Sequence, residues 1–209
     1  MPDYEYDVFL SYRRSPLVAT WVHQFLKPLL KSWLAQSLPY EPTFFIDTDE
    51  IEVGDEWPER LQSALARSRV LLAVLSPDYF RSAWCIPEWN WIRSREKQFN
   101  LRDQGRGGIV YALQFSDGEH YPQDVGTIQM QDARPFAYTS AAFKQSDEHL
   151  RFELLIRNEL APRVAKLVQQ APPWQAAFDT QIIEPFIATP NKPGAAKALA
   201  AADTSWRKL

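Results

Sequence analysis

The stretch Arg69-Val-Leu-Leu-Ala-Val-Leu75, closed by Ser76-Pro-Asp78, decides the fold class. Its apolar residues run without alternation, as in a strand buried on both faces of a parallel sheet. The turn residues that follow stop it. The run from Val70 to Leu75 is the longest apolar run in the chain. It falls far short of the roughly 20 residues that a membrane-spanning helix needs.

Reading toward the N-terminus, Trp57 to Arg67 has the pattern of a short helix, with Pro58 in its first turn, where proline is tolerated. Before it lies an acidic loop, Asp47 to Gly54, and a second strand, Thr43-Phe-Phe-Ile46. Leu17 to Gln36 carries Leu17, Trp21, Phe25, Leu29 or Leu30, and Trp33 or Leu34 near the helical period. Pro28 is expected to kink or split that helix. Tyr6-Asp-Val-Phe-Leu-Ser11 is strand-like.

Toward the C-terminus, Ser82 to Phe99 reads as a helix with Pro87 near its start. Gly108-Ile-Val-Tyr-Ala-Leu113 reads as a fourth strand, followed by a polar loop from Ser116 to about Gln131. A weak fifth strand is expected over Asp132 to Tyr138. Asp147 to Gln170 reads as a long helix interrupted by Pro162, with Asp147 as N-cap and Leu150, Leu154, Ile156, Leu160 and Leu167 along it. Strands alternating with helices imply βαβ units: an α/β fold with a parallel sheet of about five strands and helices on both faces. Ligands bind such sheets outside the carboxyl ends of the strands.

From Ala171 onward the composition shifts, with Pro172, Pro173, Pro185, Pro190, Pro193 and an alanine-rich run from Ala195 to Ala202. The expected organisation is one domain over residues 1–170 and a Pro/Ala-rich extension over 171–209, with Trp174, Phe178 and Ile182-Ile183 available to dock on the core.

The chain of 209 residues is long enough to bury a core without staples. Its single cysteine, Cys85, excludes an intrachain disulfide framework, and a reducing cytoplasm fits best. A net charge of −3 argues against a broad nucleic-acid-binding surface. The acidic N-terminus, Met1-Pro-Asp-Tyr-Glu-Tyr-Asp7, has no basic region leading into an apolar one, so neither a secretory leader nor a membrane contact is expected.

Three strand ends carry candidate chemistry. Arg13 and Arg14 follow the first strand; they either hold phosphates in bidentate fashion or are solvated loop residues. The acids of Asp47-Thr-Asp-Glu-Ile-Glu-Val-Gly54 either bind ribose hydroxyls or a cation, or form a solvated loop with Gly54 in a turn. Metal-dependent receiver domains also place acids after the first strand, where this chain has arginines. Trp84 and Glu88 are four residues apart and share one helix face. They either combine a carboxylate with a stacking ring for cleaving a glycosidic bond, or are a core tryptophan and a surface glutamate.

Phe9-Leu-Ser-Tyr-Arg-Arg14, then Phe45-Ile-Asp47 with Ile51 and Gly54, then Val74-Leu-Ser-Pro77, then Trp84-Cys85 with Glu88 resemble, in order and spacing, a Toll/interleukin-1 receptor (TIR) domain of the bacterial NAD-cleaving type. The resemblance is closest over Tyr4 to Phe99 and extends to Gln170 through the last helix. It implies a flavodoxin-like fold and cleavage of the nicotinamide–ribose bond of NAD+, giving ADP-ribose or a cyclic ADP-ribose signal. It implies Glu88 as the catalytic residue, with Phe9, Ser11, Arg13, Arg14, Asp47, Ile51, Gly54, Trp57, Ser76 and Trp84 at the substrate. NAD+ is then the substrate, with no cofactor or metal. The implied partners are other copies of the chain, joined through the loop Asp47 to Trp57, the family's BB loop, in a head-to-tail filament, and a separate effector or sensor protein in anti-phage immunity. A non-catalytic TIR interaction module and a nucleoside deoxyribosyltransferase-like base-exchange enzyme are the alternative readings.

Overall fold

The computed structural model describes residues 3–46, 59–102, 107–118, 121 and 125–180. Among these, five strands form one wholly parallel sheet: β1 (Tyr6–Tyr12), β2 (Phe44–Phe45), β3 (Ser68–Leu75), β4 (Val110–Gln114) and β5 (Met130–Asp132), in the order β2-β1-β3-β4-β5. This is the flavodoxin-like order, whose switch point lies between β1 and β3. There Ser11 is level with Ala73 and Tyr12 with Val74.

The two central strands are buried on both faces because successive side chains point opposite ways. Val8, Leu10 and Tyr12 of β1 and Val70, Leu72 and Val74 of β3 face one core. That core is covered by α1 (Pro16–Trp21) and α2 (Lys27–Ala35), and by α5 (Asp147–Leu155) and α6 (Ala161–Gln170). Phe9 of β1 and Leu71, Ala73 and Leu75 of β3 face a second core under α3 (Glu59–Ala66) and α4 (Cys85–Gln98).

Neither Pro28 nor Pro162 splits its helix. A π-helical turn, Val22–Leu26 or Ile156–Leu160, precedes each. The N–H groups of Lys27 and Ala161 reach back five residues, to the carbonyls of Val22 and Ile156. The wider turn removes the clash that a proline ring would make with the preceding turn, so the helix runs on.

Three expectations need correcting. The fifth strand is Met130–Asp132, earlier than Asp132 to Tyr138, because Arg134–Phe136 forms a 3-10 turn around Pro135; a proline cannot donate to a ladder. The N-cap of α5 is Ser146, whose hydroxyl accepts the His149 N–H at 3.2 Å, while Asp147 sits in the first turn. Leu150 and Leu154 face outward, 57% and 42% exposed. The buried stripe is Phe152, Ile156, Leu160, Val164 and Val168.

Beyond α6, the segment leading into α7 (Ala177–Thr180) lies on the second core. The Tyr4 hydroxyl donates to the Pro172 carbonyl at 2.8 Å. Phe178 packs edge-on to Trp91, Phe99 and Trp174, and the Arg95 guanidinium lies 4.2 Å from its ring centre. Arg95 is buried and donates to the carbonyls of Leu65 and Ala66 at the C-terminal end of α3 and of Ser68 at the start of β3. Burial pulls its pKa down to about 10. Ile182 and Ile183 lie outside the described residues.

Buried Glu96 ties α4 to β4. Its carboxylate accepts from the backbone N–H of Ile109 at 2.6 Å and Val110 at 2.9 Å, and from Arg102 and Arg93. Gly108 passes so close that a Cβ there would overlap Glu96 Oε1 and the Arg102 guanidinium. Gly108→Ala should therefore destabilise the fold by about 1–3 kcal/mol, the usual cost of overpacking. Chemical denaturation against wild type measures this, and an unchanged midpoint would contradict it.

Candidate functional site at the switch point

Ser11 is the last residue of β1 whose side chain points toward the second core. α4 begins at Cys85, where the Ser82 hydroxyl accepts the N–H groups of Trp84 at 3.3 Å and Cys85 at 3.2 Å. Glu88 falls in the first turn of α4, where the helix dipole favours a negative charge. Pro87 sits beside it in the same turn, where backbone N–H groups have no partner within the helix.

These elements converge on one carboxylate. Ser11 Oγ donates to Glu88 Oε2 at 2.5 Å, and the Tyr79 hydroxyl lies 2.9 Å from Ser11 Oγ. Since Ser11 gives its proton to the carboxylate, Tyr79 is the donor in the second bond. Glu88 is 6% exposed and Ser11 2%. Tyr79, in the 3-10 turn Tyr79–Arg81 after β3, is wholly buried. Burial, and then the nearby Cys85 and Glu88, raise its pKa well above that of a free phenol. Burial likewise pushes the Cys85 thiol up, and Glu88 adds to the effect. At neutral pH both groups are uncharged, so Cys85 is a thiol rather than a nucleophilic thiolate.

The other residues singled out from the sequence are distributed unevenly. Trp84 is half-buried at the N-cap of α4, one turn before Glu88. Arg13 is exposed beyond β1, and its charge acts on Cys85. Arg14 is half-buried. Ser76 is buried and accepts the Tyr79 N–H through both its hydroxyl and its carbonyl, bracing the turn. Phe9 stacks on Phe45 at 5.1 Å, inside the core on the same face of β1 as Ser11. Asp47, Ile51, Gly54 and Trp57 lie outside the described residues.

Tyr79, Ser82 and Cys85 join the site without having been assigned a role in it. Ser82, three residues before Cys85 and an apolar helix, is legible as a capping residue. Nothing in spacing marks Tyr79 as buried. Among the described residues, no group of three or more His, Cys, Asp and Glu side chains is placed to hold a metal ion. No helix among them is long and apolar enough to cross a membrane.

The sequence profile of the family described as "TIR domain" matches residues 8–146. The chain is 30% identical over 113 residues to disease resistance protein RPP2B of Arabidopsis thaliana, covering 54% of this chain and 8% of that protein. It is 33% identical over 94 residues to disease resistance-like protein CSA1 of the same plant, covering 45% of this chain and 7% of that protein. The chain thus spans under a tenth of the length of either relative. The TIR domains in the structure of the activated Roq1 resistosome directly recognizing the pathogen effector XopQ align at 21% identity with a TM-score of 0.34, over 79% of this chain and 96% of that one.

Proposed function

Since this chain belongs to the TIR domain family, we propose that it cleaves NAD+ at the nicotinamide–ribose bond, with Glu88 as the catalytic carboxylate. One observation carries this reading: a single buried carboxylate, held by Ser11 in the first turn of α4, stands at the switch point of the sheet. Nicotinamide leaves a cationic glycoside as a neutral molecule, so the leaving group needs no proton. The remaining need is to stabilise positive charge as it develops on the ribose, and one fixed carboxylate does this. A two-carboxylate glycosidase uses its second acid on a poor leaving group.

Trp84 then supplies a ring for stacking, and Arg13 and Arg14 supply charge for the diphosphate. Water attack yields ADP-ribose; attack by the adenine or by a ribose hydroxyl yields a cyclic isomer. The loop Asp47 to Trp57 completes the cleft by meeting a different surface of a second copy, a heterologous contact that grows head to tail. The disease resistance names of the relatives support a role in immunity, with NAD+ products read by a separate effector.

The test is incubation of the purified chain with NAD+ over a range of protein concentrations, with products identified by mass spectrometry. Free nicotinamide with ADP-ribose or its cyclic isomer, at a specific activity that rises with protein concentration, is the expected result. Intact NAD+ at the highest concentration would overturn the catalytic reading. Concentration-independent turnover by a monomer would overturn the assembly.

A further inference from the structure

Ser11 has so far been grouped with residues that touch substrate, and Tyr79 has had no role. Both are buried, and each spends its hydroxyl proton inside the protein. We propose that Tyr79 and Ser11 are positioning residues that act in series on Glu88: Tyr79 donates to Ser11, Ser11 donates to Glu88 Oε2, and the pair holds that carboxylate oriented and ionised. This rests on the reading of Glu88 as the catalytic group.

The two bonds join three separate pieces of the fold: the end of β1, the turn after β3 and the first turn of α4. Each piece is independently braced. Ser11 is fixed by the β1–β3 ladder, level with Ala73. Tyr79 is fixed by two bonds from its N–H to Ser76, and its ring packs edge-on to Phe80 and Trp89. Glu88 is fixed by its own helix, its N–H donating to the Trp84 carbonyl at 3.1 Å. Substitution of any one hydroxyl therefore leaves the scaffold standing and changes the hydrogen bonding of the carboxylate and, at Ser11, of the Cys85 thiol.

The direction of donation gives the arrangement its consequence. A hydroxyl that donates to a carboxylate favours the ionised acid. A second hydroxyl donating to the first polarises it further, since hydrogen bonds in a chain strengthen one another in a low-dielectric interior. Glu88 acts electrostatically on Cys85 of its own helix and on Tyr79, and Arg13 beyond β1 acts on Cys85. Burial keeps Cys85 as a neutral thiol. Arg13 is exposed to solvent, whereas the two hydroxyls are buried and held in place by the fold.

Because Tyr79 reaches Glu88 only through Ser11, the two substitutions should not add. Ser11→Ala should lower kcat by about ten- to a hundredfold, as expected for losing a hydrogen bond to a charged group. KM for NAD+ should be unchanged, and the acid limb of the pH–rate profile should move to higher pH. Tyr79→Phe should give a smaller loss with the same split. The double variant should match Ser11→Ala alone, a coupling that independent structural damage does not produce.

The second readout needs no turnover. The side-chain carboxyl carbon of Glu88, assigned by its disappearance in Glu88→Gln, is followed by NMR as pH is lowered. Its titration should move to higher pH in Ser11→Ala and by less in Tyr79→Phe. Additive kinetic losses, a loss confined to KM, or an unmoved carboxyl titration in Ser11→Ala would overturn the proposal. If Ser11→Ala does not fold, an unmoved titration in Tyr79→Phe overturns it. A wild-type protein that leaves NAD+ intact sinks the NAD+ reading alone, and the carboxyl titration still decides whether the two hydroxyls govern Glu88.

Discussion

Glu88→Gln should lower NAD+ turnover by at least about a hundredfold, toward a thousandfold, while leaving the protein as stable as wild type or slightly more so. The kinetic figure follows from removing one preorganised electrostatic contact in a water-poor site. Glutamine keeps the size of the side chain, and its carbonyl oxygen can still accept from Ser11 Oγ, so the local geometry survives. What is lost is the negative charge that offsets the developing ribose cation. The stability expectation has a separate origin. A carboxylate that is 6% exposed carries a desolvation cost that its neutral isostere avoids. Turnover of NAD+ under saturating conditions, with melting curves of both proteins, checks the two halves. Near-normal turnover by a well-folded Glu88→Gln protein would remove Glu88 from catalysis.

The largest effect on stability is expected at Trp21. Its side chain is 0% exposed and packs between Phe115, at 5.2 Å between ring centres, and Phe152, at 5.3 Å. Its indole N–H donates to the Phe136 carbonyl at 2.7 Å. Trp21→Ala removes the aromatic contacts, opens a cavity beneath α1 and strands a carbonyl. Large-to-small aromatic substitutions in cores cost about 3–5 kcal/mol. In a domain of this size that corresponds to a fall in Tm of roughly 6–20 °C. Trp21→Phe keeps a ring and loses the hydrogen bond, so its fall should be clearly smaller. Calorimetry on the three proteins measures both, and a Trp21→Ala shift of under about 2 °C would mean that the site collapses without cost.

The central strands were legible because burial on both faces leaves an unbroken apolar run, and β3 is the plainest case. The end helix was legible in extent but not in phase. Leu150 and Leu154 look like members of its stripe, yet Phe152 lies on the opposite side of the turn and is the buried one. The two prolines read as breaks because the pattern does not announce a π turn ahead of each. At the candidate site, Glu88 and Ser11 were assigned roles through the order of four short segments. Tyr79 was not, because a phenol's burial is decided by what Trp89 and Phe80 do around it, and no local spacing encodes that. Arg13 and Ser11 are only two residues apart, yet one is in water and the other is sealed. A strand's alternation puts residues two apart on the same face, and it does not mark that this strand ends at Tyr12, before Arg13.

The strand order also sets a schedule for synthesis. β1 lies in the interior of the sheet, yet it precedes both of its neighbours along the chain. Its longer partnership is with β3, whose last residue, Leu75, follows Tyr12 by 63 positions. At translation rates of about 5–20 residues per second, that strand waits some 3–13 s for its partner. Over that interval Val8, Phe9 and Leu10 form an apolar segment whose β3-facing edge has open backbone groups, the kind of segment that chaperones bind or that pairs with the wrong chain. Slowed elongation between β1 and β3 should therefore lower soluble yield, whereas slowing after Leu75 should leave it unchanged.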